Sequence, residues 1–293
     1  MRNFGPIVDL HSGPCSRRGR YLLRWSLRIG ALFLLCVVTL AALIYFRQHS
    51  MIYHPRPYDA SYARSLPPGG LEIEYSLPAG KQTAYYLPGS EPIPKRLWIA
   101  FCGNGSLALD WTTLLRGYPR NGDAFLLVDY PGYGKNSGYA TIDGMRASAK
   151  AAVNKLCDRL HLDEEQVPLA LIGHSLGGAV ALDFAAHRRV ERVVLIAPFT
   201  SLREEAARVV GDPLSHLLIE NYDNRKNLAE AFRQNARLRV AIFHGTEDGV
   251  IPVAMGRELA QKFADAQFFP IKGADHVDVL TLGRDQIIDW MRR

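Results

Sequence analysis

Cysteine is scarce and scattered in this chain. Four cysteines in 293 residues, at positions 15, 36, 102 and 157, are too few and too dispersed for the disulfide framework of a small secreted domain. Metal-ligand spacing is also missing among the histidines, cysteines and carboxylates, so neither a metal nor another cofactor is expected. There are no internal repeats and no long low-complexity run. Net charge is absent from most of the molecule. Of 35 basic and 29 acidic residues, seven arginines and one aspartate fall within residues 1–49, leaving 28 of each sign beyond. The basic balance is therefore confined to one end and gives no argument for nucleic-acid binding. Residues 50–293 suffice for one α/β domain with a sizeable core.

What the sequence does hold is a serine between glycines in an informative setting. Gly173-His174-Ser175-Leu176-Gly177 follows the apolar run Val167-Pro168-Leu169-Ala170-Leu171-Ile172. It precedes Gly178-Ala179-Val180-Ala181-Leu182-Asp183-Phe184-Ala185-Ala186, small and apolar residues suited to a packed helix. A strand, a tight turn and a helix with Gly-x-Ser-x-Gly at the turn would push the serine hydroxyl out above a sheet. The glycines are required because strand and helix backbones approach too closely there for a Cβ.

The pattern alone is common, and its company downstream gives it weight. The strand-like run Arg239–Phe243 leads into His244-Gly245-Thr246-Glu247-Asp248-Gly249-Val250-Ile251-Pro252. The run Gln267–Ile271 leads into Lys272-Gly273-Ala274-Asp275-His276. A serine hydroxyl needs a base within hydrogen-bond reach, and neutral imidazole suits that task near pH 7. The base in turn needs a carboxylate to fix its tautomer. Ser175, His276 and Asp248 are the expected nucleophile, base and acid, with Glu247 as the rival acid. Asp275 and Asp278 lie too close to His276 along the chain to orient it. His174 and His244 read as loop-packing histidines. An oxyanion site needs backbone amides, and Leu176 after the nucleophile and Asn104 in Cys102-Gly103-Asn104-Gly105-Ser106 are the candidates.

These pieces, together with Asp129-Tyr130-Pro131-Gly132-Tyr133-Gly134-Lys135-Asn136-Ser137-Gly138 and Gln48-His49-Ser50-Met51-Ile52-Tyr53-His54-Pro55, carry a family resemblance over residues 48 to 290. The chain resembles membrane-anchored serine hydrolases of the α/β-hydrolase fold, the group that includes eukaryotic protein depalmitoylases and many bacterial hydrolases. Cys102 departs from the histidine that many relatives place before the glycine. The resemblance implies a mostly parallel sheet with helices on both faces. Strand candidates at Leu97–Phe101, Ala124–Asp129, Leu169–Ile172, Arg192–Ile196, Arg239–Phe243 and Gln267–Ile271 alternate with helical stretches in agreement with it. Gly144 to Leu160 has the spacing of an amphipathic helix. Gly70–Leu77 and Gln82–Tyr86 suit an antiparallel pair at the sheet edge. Residues 199–235 lie where this fold carries a helical cap or lid.

Ile29 to Phe46 is a stretch of 18 residues without a charge. As a helix it would reach about 27 Å, near the minimum for crossing a hydrocarbon core. Arg17, Arg18, Arg20, Arg24 and Arg28 precede it. The positive-inside rule then predicts a cytoplasmic tail over 1–28, one transmembrane anchor over 29–46 and a domain over 48–293 on the non-cytoplasmic side. The alternative is secretion after cleavage at Thr39-Leu40-Ala41. The long leading tail and the apolar continuation to Phe46 favour the anchor, and a bulky leucine before Cys36 argues against a lipoprotein signal. Asn104-Gly105-Ser106 matches a glycosylation acceptor, yet a glycan there would block the oxyanion loop, which favours a bacterial inner membrane with the domain in the periplasm.

The expected reaction is hydrolysis of a small-molecule or lipid carboxylic ester or thioester through an acyl-enzyme. The alternatives are a peptidase or amidase of the same fold and a non-catalytic binding module. Trp111, Tyr133, Phe199, Val250 and Ile251 are the candidates to line an acyl pocket. Oligomeric state has no sequence signal.

Overall fold

Apolar runs alternating with helix-forming stretches produce ten α-helices, two short 3-10 helices and eight strands among the described residues of the computed structural model, which are 15–59, 61–119 and 122–293. The chain divides into two units, residues 1–47 and 48–293. Helix α1 spans Cys15–Ile52. Strands β1 (Leu71–Leu77) and β2 (Gly80–Leu87) form a hairpin. Then β3 (Arg96–Phe101) leads to the short α2 (Trp111–Leu114), and β4 (Asp123–Val128) to α3 (Ile142–Leu160). Next β5 (Leu169–His174) leads to α4 (Leu176–His187), and β6 (Arg192–Ile196) to α5 (Leu202–Val210), α6 (Asp212–Ser215) and α7 (Asn224–Gln234). Last come β7 (Arg239–Gly245), α8 (Val253–Lys262), β8 (Ala266–Ile271), α9 (Val279–Leu282) and α10 (Arg284–Arg292).

Helix α1 is longer than the charge-free stretch, because its residues outside 29–46 include no proline and only one glycine, Gly19. Gly19–Ile52 is apolar and long enough to cross a membrane, and side chains such as Phe33 are exposed. The first 14 residues of the basic tail lie outside the described residues.

All eight strands join one sheet in the order β1-β2-β4-β3-β5-β6-β7-β8. The pairs β1–β2 and β2–β4 are antiparallel and every other pair is parallel. Parallel strands must be covered on both faces, and β4, β5 and β6 are buried at every residue. Helix α3 starts at Thr141, whose hydroxyl accepts from the Gly144 amide at 3.0 Å, and it buries Met145, Ala149, Val153 and Leu156. Helix α4 is buried from Leu176 to Ala186, which its small side chains permit. Arg146 on α3 grips Asp183 on α4 through both carboxylate oxygens, at 2.6 and 2.8 Å.

Residues 199–235 are largely helical, as expected. Within them α7 packs along α4 and buries Leu228 and Ala231, whereas α5 buries no residue fully. The start of the second unit is tied to the segment between α6 and α7. The Gln48 carboxamide donates to Leu217 O and accepts from the Ile219 amide at 2.7 Å. The Tyr53 hydroxyl donates to Glu220 at 2.9 Å, and Glu220 also accepts from the Ile142 amide.

Candidate active site

The end of β5 meets the start of α4 in a turn that only glycine permits. A Cβ on Gly173 would lie 2.1 Å from Gly177 O, and one on Gly177 would lie 2.1 Å from Phe101 O at the end of β3. Any side chain at either position would force strand and helix apart. Between them Ser175 has φ 54 and ψ −119, a backbone strain on the order of 1–3 kcal/mol for a residue with a Cβ. Its amide donates to Ile196 O at 2.8 Å and its carbonyl accepts from the Gly178 amide at 2.9 Å. The hydroxyl makes no capping bond to α4. Leu176 opens α4, where the first amides of a helix lack intrahelical acceptors.

The loops after β7 and β8 meet beside this turn. His276 Nδ1 lies 2.7 Å from Asp248 Oδ2. The other oxygen of Asp248 accepts from the amides of Val250 at 2.9 Å and Ile251 at 2.8 Å. Burial alone would raise this carboxyl. Hydrogen bonds from His244, His276 and the Ile251 amide overturn that and hold it well below the ordinary carboxylate range. Glu247, by contrast, is exposed.

Two further histidines shape the site more than the sequence reading allowed. His174 is buried directly before Ser175, its Nε2 lies 2.9 Å from His276 O, and the two rings are 5.0 Å apart. Burial first, and then the neighbouring His276, lowers it from 6.5 to about 4, so it is neutral at pH 7. A neutral ring with Nε2–H donates to the carbonyl and fixes the backbone that carries His276. His244, fully buried at the end of β7, places Nε2 2.9 Å from Ile251 O and 3.3 Å from Asp248 Oδ2. The signal was available in sequence, since both histidines sit at the last positions of apolar runs.

The Asn104 side chain is engaged on three sides. It donates to Ile52 O at 2.6 Å and accepts from the His54 amide at 2.8 Å and the Tyr133 hydroxyl at 3.0 Å. A carboxamide so occupied could take a glycan only by giving up these bonds. A cavity of about 280 Å³ opens beside this loop, lined among others by Cys102, Gly103, Trp111, Leu114, His174, Val277, Leu280 and Arg284. Of the five residues expected to form a pocket wall, Trp111 alone lines this cavity. Tyr133, Phe199 and Ile251 are buried in the core and Val250 is exposed on the surface. Aromatic and aliphatic character selects core and wall alike, which is why sequence could not separate them. Among the described residues no group of three or more histidine, cysteine and carboxylate side chains is placed to hold a metal ion.

A mostly parallel eight-stranded sheet with a serine strained at the β5–α4 turn defines an α/β-hydrolase fold. Comparison with known proteins agrees. Residues 87–284 match the model of the alpha/beta hydrolase family, and the chain belongs to that family. It is 29% identical over 282 residues to the Mycobacterium tuberculosis protein Rv2307c, covering 91% of this chain and 95% of that one. The fold is shared with the Pyrococcus furiosus esterase PF2001 (TM-score 0.62, 15% identity, 83% of this chain and 97% of that one). It is shared also with an alpha-beta hydrolase of Vibrio vulnificus (TM-score 0.59, 21% identity, 77% and 81%).

Proposed function

We propose that this chain is a serine hydrolase that cleaves carboxylic esters or thioesters through Ser175, His276 and Asp248. The observation that carries the reading is the 2.7 Å contact between His276 Nδ1 and Asp248 Oδ2, made next to the strained serine turn. Asp248 accepts a hydrogen bond from Nδ1–H of His276, which leaves Nε2 free to take the proton of Ser175. The serine oxygen attacks the acyl carbonyl, and the Leu176 and Asn104 amides hold the negative oxygen that forms. His276 then gives the proton to the departing alcohol or thiol. Water repeats the sequence against the acyl-serine and releases the acid.

The cavity walled by Trp111, Leu114, Val277 and Leu280 receives the apolar part of the substrate. Within residues 199–235, helix α5 is the part that roofs the site, while α7 belongs to the layer against α4. Supporting this, Glu205 on α5 is raised first by burial and also by the charge of Asp248. The helix over 29–46 is a single-pass anchor, with the domain on the non-cytoplasmic side of a bacterial inner membrane. Arginines 17 to 28 support that topology.

Ser175→Ala should abolish turnover of short-chain aryl esters and labelling by a fluorophosphonate, with the circular dichroism and thermal midpoint of the parent. Undiminished labelling of the folded variant would refute the assignment. Efficient turnover of amide but not ester substrates would move the activity to peptidase or amidase chemistry.

A further inference from the structure

The first residues of the domain lie against the catalytic end of its own sheet. Gln48 bonds Leu217 and Ile219, as described above. His49 Nε2 is 2.7 Å from Ala140 O, and its ring meets that of Tyr139 edge-on at 5.7 Å. A few residues on, Ile52 O and the His54 amide hold Asn104, in the loop after β3. Around Gln48 and His49 the surface formed by the described residues carries exposed apolar side chains. Tyr139 is 68% exposed, Ile219 65% and Met51 46%.

Chain continuity says what lies beside this patch. Gln48 comes two positions after Phe46, the last residue of the charge-free stretch. Its contacts must therefore fall on the order of 10 Å from the end of that stretch. An exposed tyrosine beside exposed aliphatic side chains at that level is the chemistry of a membrane interface, where an amphipathic ring sits among headgroups. Scattered apolar residues elsewhere on a surface are ordinary. Ile93, for example, is 63% exposed in the β2–β3 loop, at the other end of the strands.

We infer that the patch formed by Met51, Tyr139 and Ile219 rests on the bilayer, and that the site takes acyl esters or thioesters resident in the membrane. The inference builds on the anchor and hydrolase readings above. It places the loop after β3 and the segment 217–220 at the lipid surface, so that an acyl chain passes to the site without crossing water. Burial of about 0.8 kcal/mol per methylene makes the aqueous route costly for a long chain.

The full chain in phosphatidylcholine nanodiscs tests this. A fluorophore is placed on one cysteine at a time, at Tyr139→Cys, Ile219→Cys or Ile93→Cys in a Cys15→Ser, Cys36→Ser background, or on the native Cys36 in a Cys15→Ser background. Lipids carrying a nitroxide serve as the quencher. The labels at 36, 139 and 219 should be quenched several-fold more than the label at 93. Quenching at 36 with none at 139 and 219 beyond that at 93 overturns the docking surface and leaves the anchor standing. No quenching at 36 overturns both.

A second measurement separates docking from chemistry. The double variant Tyr139→Asp, Ile219→Asp should lose several-fold activity on an ester dissolved in the bilayer while keeping parental activity on a soluble short-chain ester. Equal activity of parent and variant on both substrates would overturn the inference, and so would an equal loss on both. Inactivity of the parent itself on both esters would instead count against the hydrolase reading, with the quenching pattern still reporting the surface.

Discussion

The two ends of the sheet solve the burial of polar groups in opposite ways. At the carboxyl ends of the strands, His174, His244 and the Asp248 carboxylate are withdrawn from water and bonded to one another or to backbone. At the amino ends, Arg96, Arg192 and Arg239 begin β3, β6 and β7, and two of them lie over the ring of Trp290. Burial, then the charges of Arg96 and Arg239, push Arg192 down to about 10. The hollow there is the larger of the two, about 490 Å³ against 280 Å³, and is lined by Lys95, Arg96, Asp123, Asp289, Arg292 and Arg293 among others. Backbone strain separates the ends further. Of three non-glycine residues with positive φ among those described, Ser175 and Ala197 directly follow β5 and β6, and the third, His161, caps α3. Volume therefore favours one end of the sheet, while strain and a partnered imidazole mark the other.

The contrast can be broken most severely at Asp248. Asp248→Asn should lower kcat by about 10³ to 10⁴ with little change in KM, because His276 would be left in the wrong tautomer. Glu247→Gln, one residue away and exposed, should leave kcat near the parental value. Steady-state kinetics on one ester compares them, and the reverse order would move the acid to Glu247.

A smaller effect sharpens the contrast through pH. His174 is lowered from 6.5 to about 4 in the fold, so the unfolded chain takes up its proton first as pH falls. The stability linked to it is full above pH 6.5 and drains away as pH drops toward 4. Between urea unfolding at pH 7 and at pH 4.5 the parent should lose on the order of 2 kcal/mol more than His174→Gln. Equal losses would show that the ring is not held neutral.

The smallest effect is expected at the opposite end. Lys95 and Glu91 pair at 2.7 Å with side chains 67% and 45% exposed. Glu91→Gln should shift stability by no more than about 0.5 kcal/mol, since exposed pairs are screened and cost side-chain entropy. Thermal melts at low salt would read a larger shift if the pair mattered.

Much of this architecture is legible in the residues themselves. The buried strands declare themselves as short apolar runs, and β6 falls at Arg192–Ile196 as its residues indicate. Strand β7 runs on to Gly245, past the expected stop at Phe243, because His244 turns inward and bonds Ile251 O. A polar residue at the end of a run looks like loop until its partner is known. The contact between His276 and Asp248 was legible because each residue follows a strand, and parallel strands bring those ends together. The cavity was not. Its walls come from Trp111 and Leu114 on one side and Leu280 and Arg284 on the other. Arg284 bonds Leu114 O across 170 residues of chain. No local pattern records a meeting of that kind.

The turn at Ser175 has an evolutionary corollary. Its shape is enforced by Gly173, Gly177 and main-chain bonds, and the hydroxyl takes no part in capping the helix. A change at that single codon could therefore silence the chemistry and spare the architecture. On the proposed function, such a descendant would keep the groove and serve as a receptor for the molecules its ancestor consumed.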